Sequence, residues 1–484
     1  MISPNPIFLD IAVLALGLIL LLLEAFDDEK EKSFLGWTSI VVLGAIFILS
    51  FFSKPVSFAE GSQLAQFYRA DTFALFYKRI ALGATLLVLL MSVDFRSTLA
   101  RLIPGVTPNA GTGEFFTLPV FTCLGLMWMA SAIDFVMIFV SLELVTISFY
   151  ILVSYMRRSS ASLEAGVKYL ILGALSTGFL VYGITWVFGV TGQTNLQRVT
   201  DMIHVLPAAN HPALLFGMGL LLVGLGFKIA AAPFQLWVPD VYQGAPTPIT
   251  AFLSVGSKAA GFIVLMRVMQ PFLVSPEIAS KLLAVLGSMA ILTLIYGNLA
   301  AMPQENLKRL LAYSSIAHAG YLLVSLASWD RLTVPTTVSF YLAGYLLMTM
   351  LAFLVMIVVQ RATGGDDIAN FNGLARRSPI LAFGMLVAMI SLAGVPLTVG
   401  FLGKLLVFRD AIAQQHWALV IVGILTVGAG FYYYLKVVRA MFWNAASDTS
   451  AIEVSGVTKL TIAVLAFLIF AFGVYPTPVL AMLQ

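Results

Sequence analysis

Hydrophobic residues run along this chain in blocks of about 20, the length that crosses a bilayer as a helix. Short polar stretches separate them. The blocks predict fourteen spans, at about 7–26, 34–53, 70–93, 115–132, 134–155, 164–189, 212–238, 247–269, 279–301, 309–327, 335–360, 378–409, 417–443 and 457–480. A membrane barrel would show short alternating strands instead. The expected fold is an all-α polytopic membrane protein. Its connections are short, the stretch from Pro104 to Gly113 being polar and rich in turn residues, so no soluble domain is embedded.

Two blocks carry helix breakers inside them. Span seven holds Pro233 and Pro239, with Pro246 and Pro248 just beyond. Each proline removes a backbone donor and crowds the carbonyl four residues earlier, so Pro233 disturbs the turn that carries Lys228. Span twelve holds Gly394, Pro396, Gly400 and Gly403, followed by Lys404. Interrupted segments at corresponding places in two halves of a membrane protein point to inverted repeats with the working site between them. The expected organisation is therefore an N-terminal three-helix segment (1–114), a first five-helix repeat of spans four to eight (115–270), a second of spans nine to thirteen (278–443), and a last span in 457–484. Spans seven and twelve are the discontinuous ones.

Composition sharpens this. Sixty per cent of the 484 residues are apolar and ten per cent charged, against about a quarter charged in an ordinary soluble chain. The first block lacks a basic leader and is followed by Glu24, Asp27, Asp28 and Glu29 rather than a small-residue cleavage site, so it reads as a retained span. A single cysteine, Cys123, excludes an internal disulfide and a four-thiolate cluster. No metal-ligand spacing or dinucleotide fingerprint occurs. A net charge of +4 spread over loops gives no reason to expect nucleic acid. Loops after odd-numbered spans carry most of the basic residues, among them Lys30, Lys32, Arg96, Arg101, Arg157 and Arg158. The positive-inside rule puts these loops in the cytoplasm and both termini on the opposite side.

The chemistry lies in ionisable residues inside the oily blocks: Glu143, Lys168, Lys228, Lys258, His318 and Lys404. Each costs roughly 2.5–3.5 kcal/mol even on the lenient insertion scale, and so many together point to a charged path for protons or cations. Lysine releases its proton when desolvated, whereas arginine does not. Lys228 and Lys404 adjoin the two breaks, and Lys258 has apolar-rich sequence on both sides. Glu143, in mid-span, is the candidate partner of Lys228; a static ion pair that fixes packing is the alternative. Lys168, near the start of its span, could instead snorkel to the headgroups. His318 titrates near neutrality unaided and has Ser314, Ser315 and Tyr321 around it, although a lone helix histidine is often structural. Lys308 and Arg309 read as interfacial anchors, and Lys78, Arg79 and Arg267 as packing or interface residues. The scattered histidines give no set for haem or copper.

Three motifs resemble a known family. FKIAAAPFQLWVPDVYQGAPTPITAFLSVGSKAAGF (227–262), NLKRLLAYSSIAHAGYLL (306–323) and ASAIDFVMIFVSLELVTISFYIL (130–152) are similar to the antiporter-like, proton-translocating membrane subunits of respiratory complex I, the NADH-quinone oxidoreductase. The resemblance covers nearly the whole chain. Fourteen spans without a long lateral helix resemble the N-type branch, and Lys404 stands where the M-type has a glutamate. The resemblance implies roles for Glu143 and Lys228 as the paired glutamate and lysine of spans five and seven, Lys258 as the central lysine, His318 in the span-ten motif, and Lys404 as the terminal lysine near the exit. It implies that NADH, FMN, iron–sulfur clusters and quinone are held by other subunits, with no cofactor or metal in this chain. It also implies partners of the M-type and the small K, J and A types, and a place in the bacterial inner membrane with both termini periplasmic. One departure stands out: the family usually has a double proline at the span-twelve break, and here VPLTVGF (395–401) has Leu397 second, which leads one to expect a milder break. The rival readings are a subunit of a multisubunit sodium/proton antiporter and a structural arm subunit without its own proton path.

Overall fold

The computed structural model describes residues 5–26, 33–58, 62–103, 113–446, 448 and 450–483. Asp27, Asp28, Glu29, Lys30, Lys32 and the 104–112 part of the polar connection lie outside them. Among the described residues the chain is helical, with turns and isolated bridge pairs but no strand. Among the described residues twelve helices are long and apolar enough to cross a membrane, and the shorter apolar helices Phe34–Ser50 and Pro379–Ala393 fall on spans two and twelve. Each of the fourteen predicted blocks contains helix.

Local sequence sets where helices start. Asp134 opens span five (Phe135–Val153) by accepting from Val136 N at 2.8 Å. Asn306 opens span ten (Leu307–Ala327) by accepting from Arg309 N at 3.1 Å. Each supplies an acceptor for an amide that has no intrahelical partner.

Both foreseen interruptions are present. Span seven runs as His211–Ile229, leaves helical geometry at Ala230 (φ 63), and resumes as Val238–Gly244. Span twelve runs as Pro379–Ala393 and resumes as Val399–Ala413, with Gly394 (φ 93) and Leu397 (φ 73) in the break. With Leu397 in the break, five residues leave the helix there. Proline is held near φ −65° and could not take the left-handed conformation that Leu397 adopts. A third irregularity was not foreseen. Span eight is Thr247–Phe252, a π turn over Leu253–Ser257, then Lys258–Met269.

The chain forms two compact units. The first comprises Met1–Val93, Ala100–Ala230 and Gly256–Val285; the second comprises Asp94–Leu99, Ala231–Val255 and Leu286–Gln484. Within the first, spans six (Ser160–Thr191) and seven pack most extensively, and Lys258–Met269 lies against both span four (Glu114–Ser131) and His211–Ile229. Within the second, span eleven (Val334–Thr363) is the hub, packed against both halves of span twelve, span ten and span fourteen (Gly456–Val474). Span ten is buried throughout its hydrophobic stretch. Span six and span fourteen instead present broad exposed apolar faces, for example Ile171, Leu175, Leu460 and Phe467, as lipid-facing helices do.

Candidate functional site

In the first unit, Lys228 occupies the last turn of His211–Ile229 and is buried. Its Nζ donates to Thr146 Oγ1 at 2.6 Å. Glu143, one turn earlier than Thr146 on span five, accepts instead from Thr177 Oγ1 of span six at 2.8 Å. Lys228 remains the candidate partner of Glu143, with a threonine hydroxyl bound to each rather than a direct hydrogen bond between the two. Thr146 and Thr177 each take one partner, and both hydroxyls lie on helix faces that the sequence alone could not align. The carboxylate and the amine still share one face of span five, since residues three apart are neighbours on a helix. Lys258 is buried in the same unit and follows directly on the π turn. Such bulges inside α-helices gather at functional sites because they re-aim side chains and loosen the backbone ladder.

In the second unit, His318 lies in the buried middle of span ten. Its Nδ1 faces Tyr341 Oη at 2.7 Å and its Nε2 faces Tyr434 Oη at 3.2 Å. Tyr434 in turn hydrogen-bonds Ser314, and Ser315 faces Tyr242 Oη at 3.3 Å. Tyr341 and Tyr434 come from spans eleven and thirteen (Trp417–Trp443) and were not foreseen.

Lys404 is buried on the second half of span twelve. Its Nζ donates to Leu392 O at 2.9 Å and Ala393 O at 2.8 Å, and it sits 5.0 Å from the centre of the Tyr321 ring. The two carbonyls belong to the last turn of Pro379–Ala393, which the break leaves without intrahelical donors and which carries the negative end of that helix dipole. Gly400 makes the geometry possible: a Cβ there would stand 1.9 Å from Ser391 O.

Other cations divide differently. Lys168 is on the surface, its side chain 40 % exposed and its Nζ 2.7 Å from Glu164 Oε1 one turn earlier. Lys308 is corrected from an interfacial anchor to a buried residue: Nζ donates to Ala245 O at 2.7 Å, the carbonyl just past the second half of span seven, with Asp366 Oδ2 at 3.9 Å. Arg309 binds Asp240 and Gln243 near the surface. Arg267 is locked to Asp71 and Ala130 O, and Lys78 to Asp10, Tyr68 and Pro6 O. Asp10, Asp71 and Asp410 are among the carboxylates that the sequence does not single out. Each falls near the end of a block, where a charge reads as ordinary interface.

The Lys78 and Lys404 sites differ in what deprotonation would leave behind. At Lys78 it would strand a buried carboxylate, which is costly. Among the described residues no carboxylate lies within 4 Å of Lys404 Nζ, so its proton can leave without orphaning an anion. Such an amine can carry a proton in and out; the Lys78 pair holds helices together.

The sequence matches a family model described as NADH:quinone oxidoreductase/Mrp antiporter, TM, over residues 132–430. It is 40% identical to the NADH-quinone oxidoreductase subunit N of Trichlorobacter lovleyi over 451 residues, which cover 92% of this chain and 89% of that protein. A chain of respiratory complex I from Thermus thermophilus, solved with bound aureothin, superposes with a TM-score of 0.80 at 30% identity, covering 98% of this chain and 99% of that one. A chain of the Mrp complex from Dietzia reaches 0.82 at 18% identity, covering 98% and 95%, and establishes a shared fold.

Proposed function

Because the chain belongs to the NADH:quinone oxidoreductase/Mrp antiporter transmembrane family, we propose that it is a proton-translocating membrane subunit of an NADH:quinone oxidoreductase. NADH oxidation and quinone reduction occur in other subunits, which hold FMN, iron–sulfur clusters and the quinone site. Its membrane neighbours are an antiporter-like M-type subunit and the small K, J and A-type subunits. It lies in a bacterial inner membrane with both termini periplasmic, and spans four to eight and nine to thirteen are its two inverted repeats.

One observation carries this reading: Lys404 is buried in an apolar bundle, held by the carbonyls of a broken helix rather than by a carboxylate. A neighbouring subunit acts on the other lysine at a break. Moving Glu143 from Thr177, or Lys228 from Thr146, brings the carboxylate and amine together or apart and changes the affinity of Lys228 for its proton. The proton then passes by way of Lys258 and His318 to Lys404 and out. Lys168, at the surface, has no transfer step. The energy scale suits a lysine switch: about 2.3 kcal/mol per charge per 100 mV of membrane potential, against about 1.4 kcal/mol for each pKa unit.

The test is Lys228→Ala in the complex reconstituted into vesicles. The expected outcome is an assembled complex without coupled proton pumping; full pumping would overturn the reading. The alternative is a subunit of a multisubunit sodium/proton antiporter, with which the fold shared with the Mrp chain is compatible. Co-purification with antiporter partners, rather than with flavin and iron–sulfur subunits, would establish it.

A further inference from the structure

We propose that Asp410 is a proton-release group: a buried carboxylate that accepts the proton leaving Lys404 and hands it to the solvent at the C-terminal ends of spans ten and twelve. The proposal rests on the proton-translocating reading above and extends it to a residue outside that set.

Asp410 lies six residues after Lys404 on Val399–Ala413, so about 9 Å further along the helix axis. Its side chain is 1 % exposed, whereas that of Arg409, its ion-pair partner, is 53 % exposed. Arg409 Nη2 donates to Asp410 Oδ1 at 3.0 Å. Ser325 Oγ of span ten donates to Oδ2 at 2.6 Å. An arginine at the surface could be paired by an exposed carboxylate at no desolvation cost, so helix solubility does not explain a buried one. Its surroundings do. Ser325 stands one turn after Tyr321, the residue whose ring lies against Lys404 Nζ, and residues four apart share a helix face. One face of span ten thus runs from the lysine to the carboxylate. It continues outward to Ser328, whose Oγ faces His416 Nδ1 at 3.0 Å beside the exposed stretch 412–415. Polar groups are thus arranged from a buried amine to the surface.

In the step, one N–H bond of the Lys404 ammonium breaks and the nitrogen keeps the electron pair. The proton travels along the Tyr321–Ser325 face, with solvent bridging the gap, and an O–H bond forms at Asp410 Oδ2. That bond then breaks as the proton leaves past Arg409. The guanidinium stays charged throughout and remains the ion-pair partner of the carboxylate. No oxidant or reductant is involved.

The experiment uses the whole complex in vesicles, carrying Asp410→Asn, Asp410→Glu or Ser325→Ala, with Lys228→Ala in parallel. Asparagine is isosteric and accepts from Arg409 but cannot carry the proton. Asp410→Asn is expected to cut proton pumping by about a hundredfold, the low end of what one acid–base group contributes, with subunit content unchanged. Asp410→Glu should restore most of the pumping, which a purely structural role in packing would not predict. A protonated-carboxyl stretch in infrared difference spectra of the working complex should vanish in the asparagine variant. Pumping in Asp410→Asn equal to the parent, with Lys228→Ala inactive, would overturn this proposal and leave the broader reading standing. Should Asp410→Asn fail to assemble, Ser325→Ala decides: a several-fold loss supports the relay, and unchanged pumping overturns it.

Discussion

The two helix breaks look alike in sequence, each with proline and a nearby lysine, yet they hold that lysine in opposite ways. At the span-twelve break the lysine follows the interruption and folds back onto it, donating to Leu392 O and Ala393 O. At the span-seven break the lysine precedes the interruption and reaches away to Thr146 of another helix, one turn from Glu143. The first amine is set by backbone dipoles, which have no second charge state. The second is within reach of a side chain that can change its charge or its partner. A break therefore does not fix what a lysine senses; the side of the break on which it falls does. Under the proposed function, Lys228 would receive the signal and Lys404 would stand at a fixed place.

Of the changes that bear on this contrast, the largest effect should come from removing the signal. Glu143→Gln keeps the size and the hydrogen bond from Thr177 but deletes the charge that Lys228 responds to. Coupled pumping in vesicles should fall by tenfold or more, equivalent to at least about 1.4 kcal/mol in the controlling step. Pumping above half the parent rate would mean that Lys228 does not read Glu143, and the contrast between the breaks would lose its first half. Gly400→Ala probes the second half. The added methyl would press on Ser391 O and push the two halves of span twelve apart, lifting Lys404 from its carbonyls. The cost should be about 1–3 kcal/mol, as for other overpacked sites. It should appear as earlier thermal loss of the subunit from the solubilised complex, together with weaker pumping. An unchanged melting profile would mean that the break is softer than its backbone contacts indicate.

Much of this was legible beforehand because membrane insertion is read from coarse features. Runs of apolar residues mark the spans, and Pro233 and Gly394 mark the interruptions, whatever the tertiary packing. Finer features depend on which faces meet. The hydroxyls that bind Glu143 and Lys228 are a case in point, since hydroxyls in oily helices are too common to single out Thr146 and Thr177 in advance. Tyr341 and Tyr434 reach His318 from distant spans, and no local pattern announces that. The π turn before Lys258 lies in LSVGS, which carries no proline and reads as ordinary helix. Asp410 could have been suspected: it shares a helix with Lys404 and follows an arginine that already accounts for one charge. For Lys308, nearness to the end of a block suggests exposure, while Ala245 O draws its amine inward.

The smallest effect concerns Leu397, and it separates the shape of the span-twelve break from its chemistry. Leu397 is 65 % exposed and makes no ion pair, yet it holds φ 73, a conformation that costs a side-chain-bearing residue roughly 1–2 kcal/mol. Leu397→Gly removes that strain while loosening the unfolded chain by about 0.5–1 kcal/mol, so the net change should be a stabilisation of no more than about 1 kcal/mol. Leu397→Pro would recreate the double proline usual in the resembled family, but a ring held near φ −65° has no place in this backbone. It should destabilise by more than about 1 kcal/mol, because Val395 to Thr398 must rearrange around it. Thermal unfolding of the two variant complexes, compared with the parent, should therefore move in opposite directions. If proline is tolerated as well as glycine, the left-handed turn is not what shapes the break, and the carbonyls that hold Lys404 must owe their position to the packing of the two half-helices alone.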